Sequence, residues 1–374
     1  MKEVDRRLEQ DSEIHLSKFP VKSITLNLTH SCNFNCDYCY QKKYKYKPEY
    51  VRSMGVKDIV SIMGYLHLPY FGDTVLEELV VSGGESLLSS NIEAINYICE
   101  HFVVKKKILF TNGIHILAYK DRINFNAFDE VQISLDGPDV VIRQINHYDD
   151  AFDKIMGGIK YLLQMNKTVT LVTMWTKELR NHLTEYIELL IENRILDQLD
   201  MTVRFVLAKD YYTRGDIDEG FYSWDEIAAD IKKYGPILGM VNSYLELPAE
   251  ISELAGFLHR PVNERRNIKY KRCDFTKTLP MIFEPNGDIY WCLCLDGESG
   301  KIGNYKENIL DRDKVEKLGN RTIFKVEQCR LCKLRYLCGG GCVLPLTSVG
   351  GEIYRPACGP LGNPFVWENL EELI

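Results

Sequence analysis

No apolar run in this chain is long enough to cross a bilayer. Its first residues, Met1-Lys2-Glu3-Val4-Asp5-Arg6-Arg7, lack the apolar core of a secretory signal. Both absences make the cytoplasm the expected location, with no membrane partner. A basic excess is missing too: 46 lysines and arginines stand against 53 aspartates and glutamates, a net charge of −7. Affinity for a phosphate backbone needs a basic face, so nucleic acid is excluded as a main partner. The short run Lys42-Lys43-Tyr44-Lys45-Tyr46-Lys47 reads as a solvated loop. There is no His-Glu-x-x-His helix, phosphate loop, dinucleotide fingerprint or nucleophile elbow, which sets aside the chemistries those motifs serve. The histidines are dispersed, and His30 reads as a turn residue rather than a ligand.

Cysteine is present in quantity. Twelve cysteines without an export signal belong to a reducing compartment, where thiols bind metal more often than they pair. Cys99 shares a helical face with Ile95 and Phe102 and reads as a core thiol. Cys32, Cys36 and Cys39 are different. Their Cys-x3-Cys-x2-Cys loop follows Ser23-Ile24-Thr25-Leu26-Asn27-Leu28-Thr29, which alternates as a half-buried strand does. Three close thiolates can hold three irons of a [4Fe-4S] cluster and leave the fourth open to a non-protein ligand. A zinc knuckle is the bland alternative.

The chain's 374 residues allow two or three domains. From about residue 21 to about 210, apolar strands alternate with amphipathic helices, the pattern of a parallel sheet covered by helices. The strand candidates are Ile24 to Leu28, Leu79 to Ser82, Ile108 to Thr111, Val131 to Leu135, Val169 to Thr173 and Val203 to Leu207. Helical stripes lie between them: Ile92, Ile95, Ile98 and Phe102, opened by a Ser90–Glu93 capping box; Phe152, Ile155, Met156, Ile159, Leu162 and Leu163; and Leu183, Ile187, Leu190 and Ile191. Six such units make a partial (β/α)6 TIM-like barrel, open on one side, with its site at the carboxyl ends of the strands. An open mouth suits a bulky substrate. Residues 1–20 form an N-terminal extension and 211–265 a helical bridge; 266–374, with eight of the twelve cysteines, form a small metal-stapled domain. The last residues, from Pro364, read as a short amphipathic helix.

With its cysteine spacing, and with Tyr38 directly before the third cysteine, the chain resembles the radical S-adenosylmethionine (SAM) enzymes. The resemblance implies that SAM chelates the open iron. One electron from the cluster then cleaves SAM to methionine and a 5′-deoxyadenosyl radical. Gly83-Gly84-Glu85 after the second strand resembles the family's GGE turn, which holds the SAM amino group, with the carboxylate able to accept from an ammonium. Ser134 and Asp136 in Ile133-Ser134-Leu135-Asp136-Gly137-Pro138 match positions near SAM's methionine and ribose, and Thr111-Asn112-Gly113 matches a turn on the SAM side. Where many relatives continue with a His-Asp pair and an arginine, this chain reads Asp139-Val140-Val141-Ile142-Arg143, so Arg143 as partner of the SAM carboxylate competes with a plain surface arginine.

The later cysteines run Cys273-x13-Gly287-x4-Cys292, then Cys329-x2-Cys332-x5-Cys338-x3-Cys342 and Cys358. This order resembles the SPASM extension of radical SAM enzymes, which implies two auxiliary [4Fe-4S] clusters besides the radical SAM cluster. Cys329, Cys332, Cys338 and Cys358 would hold the distal one, and Cys273, Cys292 and Cys342 the proximal one. Gly339-Gly340-Gly341 leaves room for backbone N–H groups beside cluster sulfur. Structural zinc is again the alternative. The proximal set is one ligand short: either Cys294 completes it, or the iron is open to a substrate thiolate. The open site is the expectation, on the premise that Cys294 faces away from Cys292 in an extended chain.

SPASM relatives mostly oxidise peptides or proteins. The resemblance therefore implies a maturase that crosslinks a ribosomally made peptide, with an external reductant such as flavodoxin or ferredoxin. About twenty residues precede the first strand, so leader recognition is expected from a separate protein, from the bridge, or not at all. Maturation of a small peptide-derived cofactor is an alternative. In sulfatase-maturing relatives an aspartate base follows the second auxiliary cysteine. Leu293 stands there, which argues against that role and leaves Asp296 as a fallback base. The non-enzyme alternative is an iron-sulfur electron-transfer protein.

Overall fold

A computed structural model describes residues 21–39, 41, 47–71, 75–196, 201–207, 229, 233, 243–246, 279–292, 300–332, 335 and 339–341. Each of the six expected apolar runs forms a strand: β1 (Ser23–Asn27), β2 (Glu78–Ser82), β3 (Lys106–Thr111), β4 (Glu130–Ser134), β5 (Thr168–Trp175) and β6 (Met201–Leu207). They pair in parallel and in chain order. The two-residue period of a strand gives the sheet two different faces. Ile24, Leu26, Leu79, Val81, Leu109, Val131, Ile133, Val169 and Leu171 are buried on one. Thr25, Asn27, Ser82, Gln132 and Thr170 occupy the alternate positions.

The apolar face is covered by α1 (Val56–Leu66), α2 (Ile92–His101), α3 (Asp139–Asn146), α4 (Ala151–Gln164) and α5 (Lys177–Glu192). The expected stripes supply most of their buried residues; Phe152 and Leu163 on α4 are only partly buried, and Ile191 on α5 is 46% exposed, because Leu183, Ile187 and Leu190 already define the inward face. The Ser90–Glu93 capping box does not form. A 3-10 turn, Ser89–Asn91, precedes α2, and the Asn91 side chain bonds back to the carbonyls of Glu85 and Ser86.

Two short strands extend the parallel set. β7 (Ser243–Glu246), inside the bridge expected to be helical, pairs with β6, and β8 (Met281–Phe283) pairs with the opposite edge at β1. Three antiparallel strands follow β8: β9 (Asp288–Tyr290), β10 (Lys301–Asn304) and β11 (Ile309–Leu310). Among the described residues β7 and β8 do not pair, so the barrel is partial. The cysteine-rich end of the chain is thus joined to the barrel through hydrogen bonds to β1, the strand that delivers the first cysteines.

Candidate active site

β1 ends at Asn27 and the chain turns at its carboxyl end into the loop of Cys32, Cys36 and Cys39. All three cysteines are partly exposed and line one pocket with His30, Phe34, Asn35, Gln41 and Gly84. The loop is held from two sides. The N–H groups of Asn35 and Asp37 donate to the carbonyls of Asn146 (3.2 Å) and Ile145 (3.1 Å), which are orphan acceptors at the end of α3. From the other side, Gly84 N–H donates to Thr29 O (2.6 Å) and Glu85 N–H to Ser31 O (2.9 Å), locking the turn after β2 against the residues that lead into Cys32.

That close approach explains both glycines. A Cβ on Gly84 would lie 2.3 Å from Ser31 O, and one on Gly83, whose φ is +149°, would lie 2.5 Å from Thr29 O.

Glu85 is buried, and its carboxylate is a brace. It accepts from Leu87 N–H (2.7 Å), the Thr111 hydroxyl (2.6 Å) and Asn112 N–H (2.7 Å), joining the ends of β2 and β3. Burial pushes this carboxyl up, and the three donors pull against it. The acceptor that sequence offered to an ammonium is therefore engaged within the protein, which leaves the adjacent glycine carbonyls as the turn's polar groups for a ligand. Asn112 reaches the cysteine loop itself: its Nδ2 donates to Asn33 Oδ1 (2.8 Å) and lies 4.0 Å from Cys32 Sγ.

Asp136, fully buried, accepts from the Tyr38 hydroxyl at 2.5 Å and from Met174 N–H at 3.0 Å. Burial pushes its carboxyl up, opposed by Tyr38, Met174 and Asn146. It ties the cysteine loop to β4 and β5. Tyr38→Phe removes one donor from a buried carboxylate and is expected to destabilise the metal-free protein by about 1–3 kcal/mol, read as a lowered denaturation midpoint. Ser134 is partly exposed at the end of β4. Arg143 on α3 is 58% exposed, ion-paired with Asp139 one turn away, and does not line the cysteine pocket.

His30 is no mere turn residue. Only 4% exposed, it lies 2.5 Å from Glu284 at the end of β8, a partner 254 positions away that no local pattern reveals.

The donor set fits an iron-sulfur cluster open at one iron. Desolvation first, then the charges of Asp136, Cys39 and Cys32, push the Cys36 thiol well above the usual thiol range. With that shift Cys36 stays a neutral thiol unless a cation offsets the surrounding negative charge, as cluster iron would. The Cys32 sulfur already accepts from Phe34 N–H (3.4 Å), and the buried Asn33 Nδ2 has no partner, a donor that a bound ligand would satisfy. Cys292, two residues past β9, is partly buried, Cys329 is buried and Cys332 exposed. Cys273, Cys294, Asp296, Cys338, Cys342 and Cys358 lie outside the described residues.

Over 366 residues the chain is 21% identical to the radical SAM cyclopropyl synthase TigE of Paramaledivibacter caminithermalis, covering 89% of this chain and 70% of TigE. It is 32% identical over 149 residues to a probable GTP 3′,8-cyclase of Methanococcus maripaludis, covering 40% of this chain and 48% of the cyclase. Its fold is similar to that of native anSMEcpe with bound AdoMet, with TM-score 0.66 at 17% identity over 94% of this chain and 95% of that one. It is also similar to SuiB of Streptococcus suis bound to the precursor peptide SuiA, with TM-score 0.64 at 17% identity over 94% and 79%. Residues 26–190 match the Radical SAM superfamily, a span that opens inside β1, takes in the cysteine loop and ends within α5. The part of the chain that builds the pocket lies within that span, so it is a radical SAM domain.

Proposed function

We propose that residues 266–374 form a SPASM domain with two auxiliary clusters, following the barrel (21–210) and the bridge (211–265), and that the enzyme oxidatively crosslinks a ribosomally made peptide in the cytoplasm. One observation carries the reading: the likeness to peptide-bound structures spans barrel and extension together. It covers 94% of this chain for SuiB with its precursor peptide and 95% for anSMEcpe with AdoMet and a peptide. Likeness to the GTP 3′,8-cyclases, by contrast, takes in only 40% of the chain.

Local geometry in the extension supports auxiliary clusters. The buried Arg321 guanidinium donates to Gly340 O (2.8 Å) and Gly341 O (3.0 Å), and a Cβ on Gly340 would lie 4.0 Å from Cys329 Sγ. The glycine turn before Cys342 is thereby clamped beside a second expected ligand. Arg321→Ala leaves both carbonyls without their donor. The iron content of the purified protein is expected to fall by about one cluster's worth while the radical cluster remains.

An open proximal iron is not the better reading. Residues two apart in an extended chain share a face, so Cys294 would follow Cys292 rather than turn from it. Cys294 is the fourth ligand we assign.

When bound, SAM and the three clusters supply one-electron chemistry able to remove hydrogen from an unactivated carbon and to accept the surplus electron. The chain's own residues bind and orient. Cys32, Cys36 and Cys39 would hold the radical cluster, the carbonyls of the Gly83-Gly84 turn would accept from the ammonium of SAM, and Glu85 and Asp136 keep turn and loop in register. Ser134 offers its hydroxyl at the strand end. Reduction by a flavodoxin or ferredoxin and leader recognition by a separate protein complete the proposal. The test is mass spectrometry of a candidate precursor peptide co-expressed with this protein. A product lighter by two hydrogens supports a crosslink, and an unchanged mass overturns it.

A further inference from the structure

The buried histidine beside the cysteine loop is the middle of a chain of hydrogen bonds that no local sequence pattern connects. Glu284 stands at the carboxyl end of β8, where the hairpin turn to β9 begins. Its Oε1 accepts from Asn27 Nδ2 at 2.7 Å, and its Oε2 lies 2.5 Å from His30 Nε2. On the other side of the ring, His30 Nδ1 lies 3.1 Å from Gln41 Oε1, and Gln41 Nε2 donates to the carbonyl of Gly83 at 3.0 Å. His30 and Gln41 also line the cysteine pocket.

The directions follow from the last link. A peptide carbonyl only accepts, so Gln41 must turn its amide nitrogen to Gly83 and its oxygen to His30; Nδ1 of His30 then has to donate. Every member is held: His30 is 4% exposed, Gln41 6% and Glu284 6%, and the His30 ring stands edge-on to Tyr50 at 5.4 Å. An acid at the edge of the extension therefore orients a carbonyl on the turn after β2.

We propose that Glu284, acting through His30 and Gln41, positions the Gly83 carbonyl and so sets the affinity of the pocket for SAM. The role is positional, since three hydrogen bonds, through His30 and Gln41, separate Glu284 from that carbonyl. It makes the hairpin that leads to Cys292 a structural determinant of the SAM pocket, and it rests on the assignment of the Gly83-Gly84 turn to the ammonium of SAM.

Gln41→Glu keeps the size of the side chain but sets an oxygen against the Gly83 carbonyl. In the reconstituted enzyme it is expected to raise the Kd for SAM about tenfold, equivalent to about 1.4 kcal/mol, with iron content unchanged. A second readout needs no cofactor. In metal-free Glu284→Ala, hydrogen exchange followed by mass spectrometry should speed up in the segments around residues 28–41 and 83–85, and Glu284→Gln, which keeps an acceptor, should restore part of the protection. If Glu284→Ala does not fold, the comparison is Glu284→Gln against the natural chain, with a smaller acceleration expected in the same segments. Unchanged SAM affinity in Gln41→Glu, or unchanged exchange in the folded Glu284 variants, overturns the proposal. Failure of the natural enzyme itself to bind SAM at the turn would instead strike the functional reading on which it rests.

Discussion

With Cys32, Cys36 and Cys39 replaced together by alanine, formation of 5′-deoxyadenosine from SAM under dithionite is expected to fall to the level of a no-enzyme control. Among the described residues no other group lining the pocket is a thiol, and soft sulfur donors are what an iron-sulfur cluster requires. The loss should appear first in composition, as iron and sulfide lower by one cluster, and then in activity. Cys99→Ala is the control. On α2, its Sγ lies 3.9 Å from Asn124 O, and burial pushes its thiol up to about 11, as expected of a packing thiol that stays protonated. That variant should keep its iron and its cleavage rate. Full deoxyadenosine formation by the triple variant would place the reactive cluster elsewhere in the chain.

What could be read from the sequence follows from which forces are local. β1 to β6 are legible because each carries its own apolar alternation, and the cysteine loop because ligand spacing is written in consecutive residues. β8 is not legible: Met281-Ile282-Phe283 becomes a strand by pairing with β1 in register Ile24 to Met281, a tertiary event without a local signature. β7 is hidden in the same way, since Ser243-Tyr244-Leu245-Glu246 exists as a strand through β6.

The site shows the same division. The positions of Glu85 and Asp136 are marked by their motifs, but their partners are not. Both carboxylates are satisfied within the protein, by Thr111 and two backbone N–H groups in one case and by Tyr38 and Met174 N–H in the other. The motif resemblance implies a place beside the cofactor, whereas in the structure Glu85 braces the turn after β2 and Asp136 the cysteine loop. His30 carries no local signal of its role, because that role depends on Glu284, 254 positions away.

Gly84→Ala is expected to be among the most damaging single-atom additions to this domain. The new Cβ would meet Ser31 O at 2.3 Å and His30 O at 2.7 Å, and both are backbone atoms in the segment that leads into Cys32. Rotamer changes cannot relieve such contacts. Relief requires the turn and the loop to part by about 1 Å, which breaks the Gly84–Thr29 and Glu85–Ser31 hydrogen bonds and shifts the first cysteine. A loss of about 3 kcal/mol or more follows, with a melting temperature lower by roughly 6 °C or more and poorer iron uptake by the cysteine loop. Gly64 on α1 supplies the matched comparison: it is exposed, has nothing within 4 Å of a Cβ, and sits in a helix where alanine is the better former. Gly64→Ala should therefore stabilise by about 0.5–1 kcal/mol and leave iron content alone. The opposite signs separate a general intolerance of added methyl groups from the specific closeness of the turn to the cysteine loop. A Gly84→Ala protein that melts with the natural chain and loads its full iron would show that the two segments are not packed together.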